Sequence, residues 1–180
     1  MKVYLSVCLL FLSLHTFSQT ANKDLASFKY KNSVQFELGG HGLVYSLNYE
    51  RKLINRNKFK TTAQVGFSYY PAFTGIIKFW MPITINEIYS FSKKHHVEFG
   101  AGYTFTYEKF NKPNDDEKMS FLAFRLGYRY QFNEGKYTFR AAFTPLVELH
   151  TKPINSNALM LYKRVIYFHP LVGIAFGYNF

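Results

Sequence analysis

Few residues in this chain have the types and spacing that chemistry requires. The adjacent pair His95-His96 could bind a metal, because imidazole is a common metal ligand. Neighbouring residues of a strand point to opposite faces, however, so the two rings chelate poorly together. With no second pair nearby, a solvated turn is the expected setting. His41, His150 and His169 fall in or near segments read below as connecting loops, where a Ser–His pair could make a lipid-modifying hydrolase. No spacing signature supports a triad. Asp115, Asp116 and Glu117 could attract a divalent cation, but they lack the alternate-position spacing of a calcium loop. Lys109, Lys112 and Lys118 dilute their charge further, and no glycine-rich phosphate loop occurs. The sequence therefore predicts no catalytic residue, no metal site and no cofactor. It does not read as an enzyme.

Six other charged residues gain interest from the elements that carry them. Val97, Phe99, Ala101, Tyr103, Phe105 and Tyr107 alternate with Glu98, Gly100, Gly102, Thr104 and Thr106. Leu122, Phe124, Leu126, Tyr128, Tyr130 and Phe132 alternate with Ala123, Arg125, Gly127, Arg129 and Gln131. Period-two alternation is the signature of a strand with one greasy face. Weaker versions cover Val34 to Leu38, Leu43 to Glu50, Ala63 to Tyr69, Phe79 to Ile88, Tyr137 to Thr144 and Val172 to Phe180, which makes eight strands. Short polar turns at Asn55 to Lys58, Ser92 to His95 and Asn133 to Lys136 alternate with longer segments at Tyr70 to Lys78, Glu108 to Met119 and Glu148 to Arg164. Only the connection at Gly39 to Gly42 is short on the long-loop side. Short turns at one end and long loops at the other are usual in outer-membrane barrels.

The polar face decides between a soluble and a membrane barrel. It is dominated by Gly, Ala, Ser and Thr, whereas a water-facing surface carries many charges. Small residues suit the crowded interior of an eight-stranded barrel. The aromatic face then meets lipid, and closure satisfies every backbone donor and acceptor. The fold class is therefore all-β, an eight-stranded antiparallel up-and-down transmembrane β-barrel. In that arrangement Glu37, Glu50, Glu98, Arg125, Arg129 and Arg140 all face the lumen, where unpaired charge would be very costly, so these acids and bases are expected to pair.

Composition agrees with export to a membrane. Aromatic residues make up 20%, with 20 Phe and 15 Tyr against a single Trp, and such residues favour strands. Charged residues reach only 18%, below the roughly 25% usual for soluble domains. No segment after the N-terminus offers a run of about 18 uninterrupted apolar residues, which weighs against a spanning helix. Residues 1–18 read as a signal peptide: Lys2, then the apolar Val3 to Leu14, then Thr16-Phe17-Ser18 at a cleavage point before Gln19. Leu5-Ser6-Val7-Cys8 loosely resembles a lipobox, but Val7 is large for the position before the cysteine. Cleavage at Ser18 removes Cys8, the one cysteine, and leaves no disulfide. Residues 19–32 read as a flexible lead-in and 33–180 as the barrel.

The net charge is +11. An exported chain rarely meets nucleic acid, so outer-membrane lipids and the phosphates of lipopolysaccharide are the natural partners. The alternative is that these charges simply solvate turns and loops. The last strand, Gly173 to Phe180, resembles the assembly signal read by the outer-membrane insertion machinery, which singles out Phe176, Tyr178 and Phe180. With Glu37-Leu38-Gly39-Gly40, Tyr45 to Arg51, Gly127-Tyr128-Arg129-Tyr130 and Phe143-Thr144-Pro145-Leu146, the chain resembles the Bacteroidetes-type small outer-membrane β-barrel proteins. That resemblance spans essentially the whole mature chain and implies a bacterial outer-membrane protein; the chain is expected to be monomeric. The expected function is non-enzymatic, an envelope-structural or surface-interaction role with a lumen plugged by charged side chains. The alternatives are a narrow pore or hydrophobic-molecule conduit, and a lipid-modifying enzyme.

Overall fold

The computed structural model describes residues 29–56, 58–70, 77–109, 117–154 and 161–180. The expected signal peptide, most of the lead-in, and Asp115 and Asp116 lie outside these residues. The strands are β1 (Asn32–Gly39), β2 (Tyr45–Asn55), β3 (Phe59–Tyr70), β4 (Ile77–Ser90) and β5 (His95–Lys109). They continue as β6 (Glu117–Phe132), β7 (Tyr137–Phe143), β8 (Leu146–Ile154), β9 (Leu161–His169) and β10 (Val172–Asn179).

These ten strands form eight barrel staves. β6 pairs with β7 as far as Leu126↔Phe143 and takes up β8 from Ala123↔Leu146, so β7 and β8 follow one another along one edge. β10 and β9 pair with them in the same succession. The breaks fall at Thr144-Pro145 and Pro170-Leu171, because proline has no N–H to give a ladder. Bonds still bridge the gaps, from Phe124 N to the Pro145 carbonyl at 3.0 Å and from Thr144 N to the Leu171 carbonyl at 2.8 Å. All pairings are antiparallel, and β1 closes on β10 from Ser33↔Asn179 to Gly39↔Gly173. A bulge at Leu53 shifts the β2–β3 register near the turn.

The barrel is inside-out relative to a soluble protein. Among the described residues, 25 buried side chains are polar or charged and only nine, Pro82 and Pro145 included, are apolar. Outward positions of the alternating runs are apolar and open, with Phe99 at 54% and Leu126 at 50% exposure. Only a surrounding lipid phase makes such a distribution stable.

The loop side differs from expectation. Glu148 to Arg164 was expected to be a loop, yet β8 runs to Ile154 and β9 starts at Leu161. β4, β5 and β6 likewise reach 14, 15 and 16 residues, beyond the roughly 9–11 that cross a bilayer. Past the lipid, backbone pairing alone sustains the ladder. No apolar face is needed there, so no alternation marks it.

Candidate functional site: a lumen of paired charges

Alternation sends one side chain in two of every stave into the lumen, and the six acids and bases meet there. Each is nearly inaccessible to solvent. Arg129 donates from Nη1 to Glu50 Oε2 at 2.9 Å and from Nη2 to Glu50 Oε1 at 2.8 Å. Its Nε donates to Glu98 Oε2 at 2.9 Å, so one guanidinium binds two carboxylates. Arg125 lies 3.3 Å from Glu37 and 3.8 Å from Glu98. Arg140 lies 3.5 Å from each of the same two acids. Three acids from β1, β2 and β5 thus contact three bases from β6 and β7.

Neutral residues complete the network, and alternation alone did not single them out. Gln64 Oε1 accepts from Arg125 at 2.6 Å and from Arg140 at 3.0 Å. Glu50 accepts from Gln35 and from Thr62, each at 2.6 Å. Gln35 and Gln64 fall on inward positions of the alternating runs, and Thr62 lies just before one. Gln35 and Thr62 reach Glu50 from the two neighbouring staves, whereas the partners of Gln64 lie on distant ones. Only the register brings them together.

The short connection after β1 folds inward. Gly40, His41 and Gly42 form a buried single 3-10 turn. Gly39 requires glycine: its φ is 72°, and a Cβ would lie 2.3 Å from the Val172 carbonyl oxygen. Leu43 follows at φ 69° and ψ −74°, the centre of a strained γ-turn closed by Val44 N to the Gly42 carbonyl at 3.0 Å. The Tyr70 hydroxyl pins this turn, donating to the Gly42 carbonyl and accepting from Val44 N at 2.9 Å. His41 Nε2 donates to the Phe124 carbonyl at 2.7 Å. Its Nδ1 then carries the lone pair and faces Arg125 Nη2 at 3.5 Å, so the ring is neutral beside the guanidinium.

Above the charges, toward the loops, Trp80 stacks on Phe121 with centroids 5.6 Å apart, alongside Ala123 and Leu146. Below them, Ser90 Oγ lies 2.8 Å from both Lys60 Nζ and His96 Nδ1. The expectation of a solvated His95-His96 turn is corrected here. Both belong to β5, and His96 is fully buried in the lumen. His95 points outward to Phe91, Tyr130 and the Tyr128 hydroxyl. The Ser90–His96 pair has the reach of a nucleophile and its base, but both side chains are fully enclosed. His169 is half-exposed on β9, opposite Leu146 in the ladder, 3.7 Å from Glu148 and edge-on to Phe121. His150 lies in β8 and Glu117 in β6. No group of three or more metal-ligating side chains is assembled among the described residues.

The last strand is outward-facing at Phe176, Tyr178 and Phe180, which are 52%, 44% and 49% exposed. Tyr137 joins them in an aromatic row with Phe176 and Tyr178 at centroid distances of 6.0 and 5.8 Å.

No family model matches the chain, and no curated protein matches it. A solved structure does. The crystal structure of the N-terminal β-barrel domain of Pseudomonas aeruginosa OprF aligns with a TM-score of 0.51, covering 84% of this chain and 100% of that one. The fold is that of an outer-membrane β-barrel. At 14% identity the likeness concerns architecture and carries no residue-level correspondence.

Proposed function

We propose that the chain is a non-enzymatic integral protein of the bacterial outer membrane, serving the envelope structurally or through its surface loops. Its lumen is closed by the charge network. The observation that carries this reading is the pairing of Arg129 with both Glu50 and Glu98 across the barrel. An aqueous pore would leave such groups hydrated, and eight staves leave little room for water beside them. The inward turn around His41 and the apolar cluster of Trp80 and Phe121 support closure from the loop side. Export by a cleaved signal peptide and membership of the Bacteroidetes-type small barrels belong to this proposal and rest on the sequence features above.

Fractionation and heat-modifiable gel mobility test the location and the barrel together. The chain is expected in the outer-membrane fraction, migrating faster unheated than heated. Recovery in the soluble fraction with unshifted mobility would refute the proposal. Mass analysis of lipid A in a deletion strain addresses the enzymatic alternative, and an unchanged spectrum is expected.

A further inference from the structure

The short-turn end of the barrel is strongly basic. Arg51 and Arg56 flank the β2–β3 turn, Lys93 and Lys94 occupy the β4–β5 turn, and Lys29 and Lys31 precede β1. All six are exposed. Outside the lumen, where Glu50 is taken up by Arg129, the acids among the described residues at this end are Glu134, 3.7 Å from Lys29, and Glu87, which accepts a 2.7 Å bond from Thr61. This excess of cations lies around the circumference of the barrel and is not gathered in one pocket.

Its height is set by the aromatic residues beside it. Arg51 continues the outward row of Leu47 and Tyr49 on β2. Lys136 stands 5.6 Å over the ring of Tyr178. Phe59, Phe91, Tyr178 and Phe180 are exposed at the same end. Aromatic girdles of membrane barrels sit at the level of the lipid headgroups. The cations are therefore level with headgroups, within the roughly 8–10 Å over which charge acts at physiological salt.

We propose that this rim binds the anionic phospholipid headgroups of the periplasmic leaflet, so that acidic lipids form the shell around the turn end. The proposal rests on the membrane-barrel reading above. Charge complementarity and continuity with the lipid-facing surface select phospholipid over a cell-wall polymer. The turns are too short to project from the membrane and grip a polymer lying below it.

The test is electron spin resonance of the full chain refolded into phosphatidylcholine vesicles carrying spin-labelled phosphatidylglycerol or spin-labelled phosphatidylcholine. A motionally restricted shell for either lipid reports the membrane barrel itself. Its absence would refute the underlying reading and, with it, the headgroup proposal. Given that shell, phosphatidylglycerol should be preferred by about threefold or more at low salt, and the preference should fall at high salt. It should also fall in the combined variant Arg51→Gln, Arg56→Gln, Lys93→Gln, Lys94→Gln. Equal association of the two lipids at low salt would overturn the proposal, with no variant required. So would a preference unchanged in the folded variant. Pull-down by isolated peptidoglycan without any lipid preference would overturn it in favour of the polymer.

Discussion

Arg129 grips Glu50 through two parallel hydrogen bonds of 2.9 and 2.8 Å, tying β6 to β2 across the lumen. These strands share no ladder, so this fork links walls that the backbone leaves unconnected. Losing one partner leaves charge stranded where it cannot hydrate. Arg129→Ala is expected to destabilise the barrel by about 3–5 kcal/mol, whereas Lys94→Ala in the exposed turn should cost less than about 1 kcal/mol. Urea unfolding in vesicles measures both. The double variant Glu50→Gln, Arg129→Met should cost less than Arg129→Met alone, because it removes the stranded charge with its partner. Equal costs for Arg129→Ala and Lys94→Ala would show that the lumenal pairs carry no stability.

The direction of the faces is open to a separate test. Phe99→Arg and Leu126→Arg place a cation in lipid and should cost about 2–4 kcal/mol if they sit near the midplane. Thr84→Ser, on the buried lumenal side, should stay under about 1 kcal/mol. Gly100→Ser is not an innocuous lumenal control, because its Cβ would lie 2.1 Å from Asn86 Oδ1 and the amide would have to swing away. Vesicle unfolding that ranks Thr84→Ser as worse than both arginine variants would reverse the assignment of inside and outside.

The outward aromatics of β10 lead to an assembly prediction. Phe180→Ala should reduce outer-membrane insertion and increase periplasmic degradation, read by fractionation and heat-modifiable mobility. Unchanged insertion would mean that Phe176, Tyr178 and Phe180 serve only as lipid-facing girdle.

The staves were legible where lipid demands alternation, as in Val97 to Tyr107 and Leu122 to Phe132. Above the lipid that demand ends, which is why the β8–β9 ladder went unread beyond Glu148. The inward positions of Glu37, Glu50, Glu98, Arg125, Arg129 and Arg140 followed from the same period of two. Their partners did not, because Gln64 reaches Arg125 and Arg140 only through the stagger of closed staves. His96 was misplaced because a histidine beside a polar turn looks solvated, while β5 begins one residue earlier and turns it into the lumen. The inward fold of Gly40–Gly42 left a faint trace in the two glycines that flank His41. Nothing in local sequence says which way a glycine turn bends.

Steady conductance across a planar bilayer tests the central claim, a lumen closed by paired charges, most directly. The refolded wild-type chain should show no sustained ion current, and Arg129→Ala, which unties Glu50 and Glu98, should show a measurable one. A sustained current of the same size in wild type and variant would contradict the account.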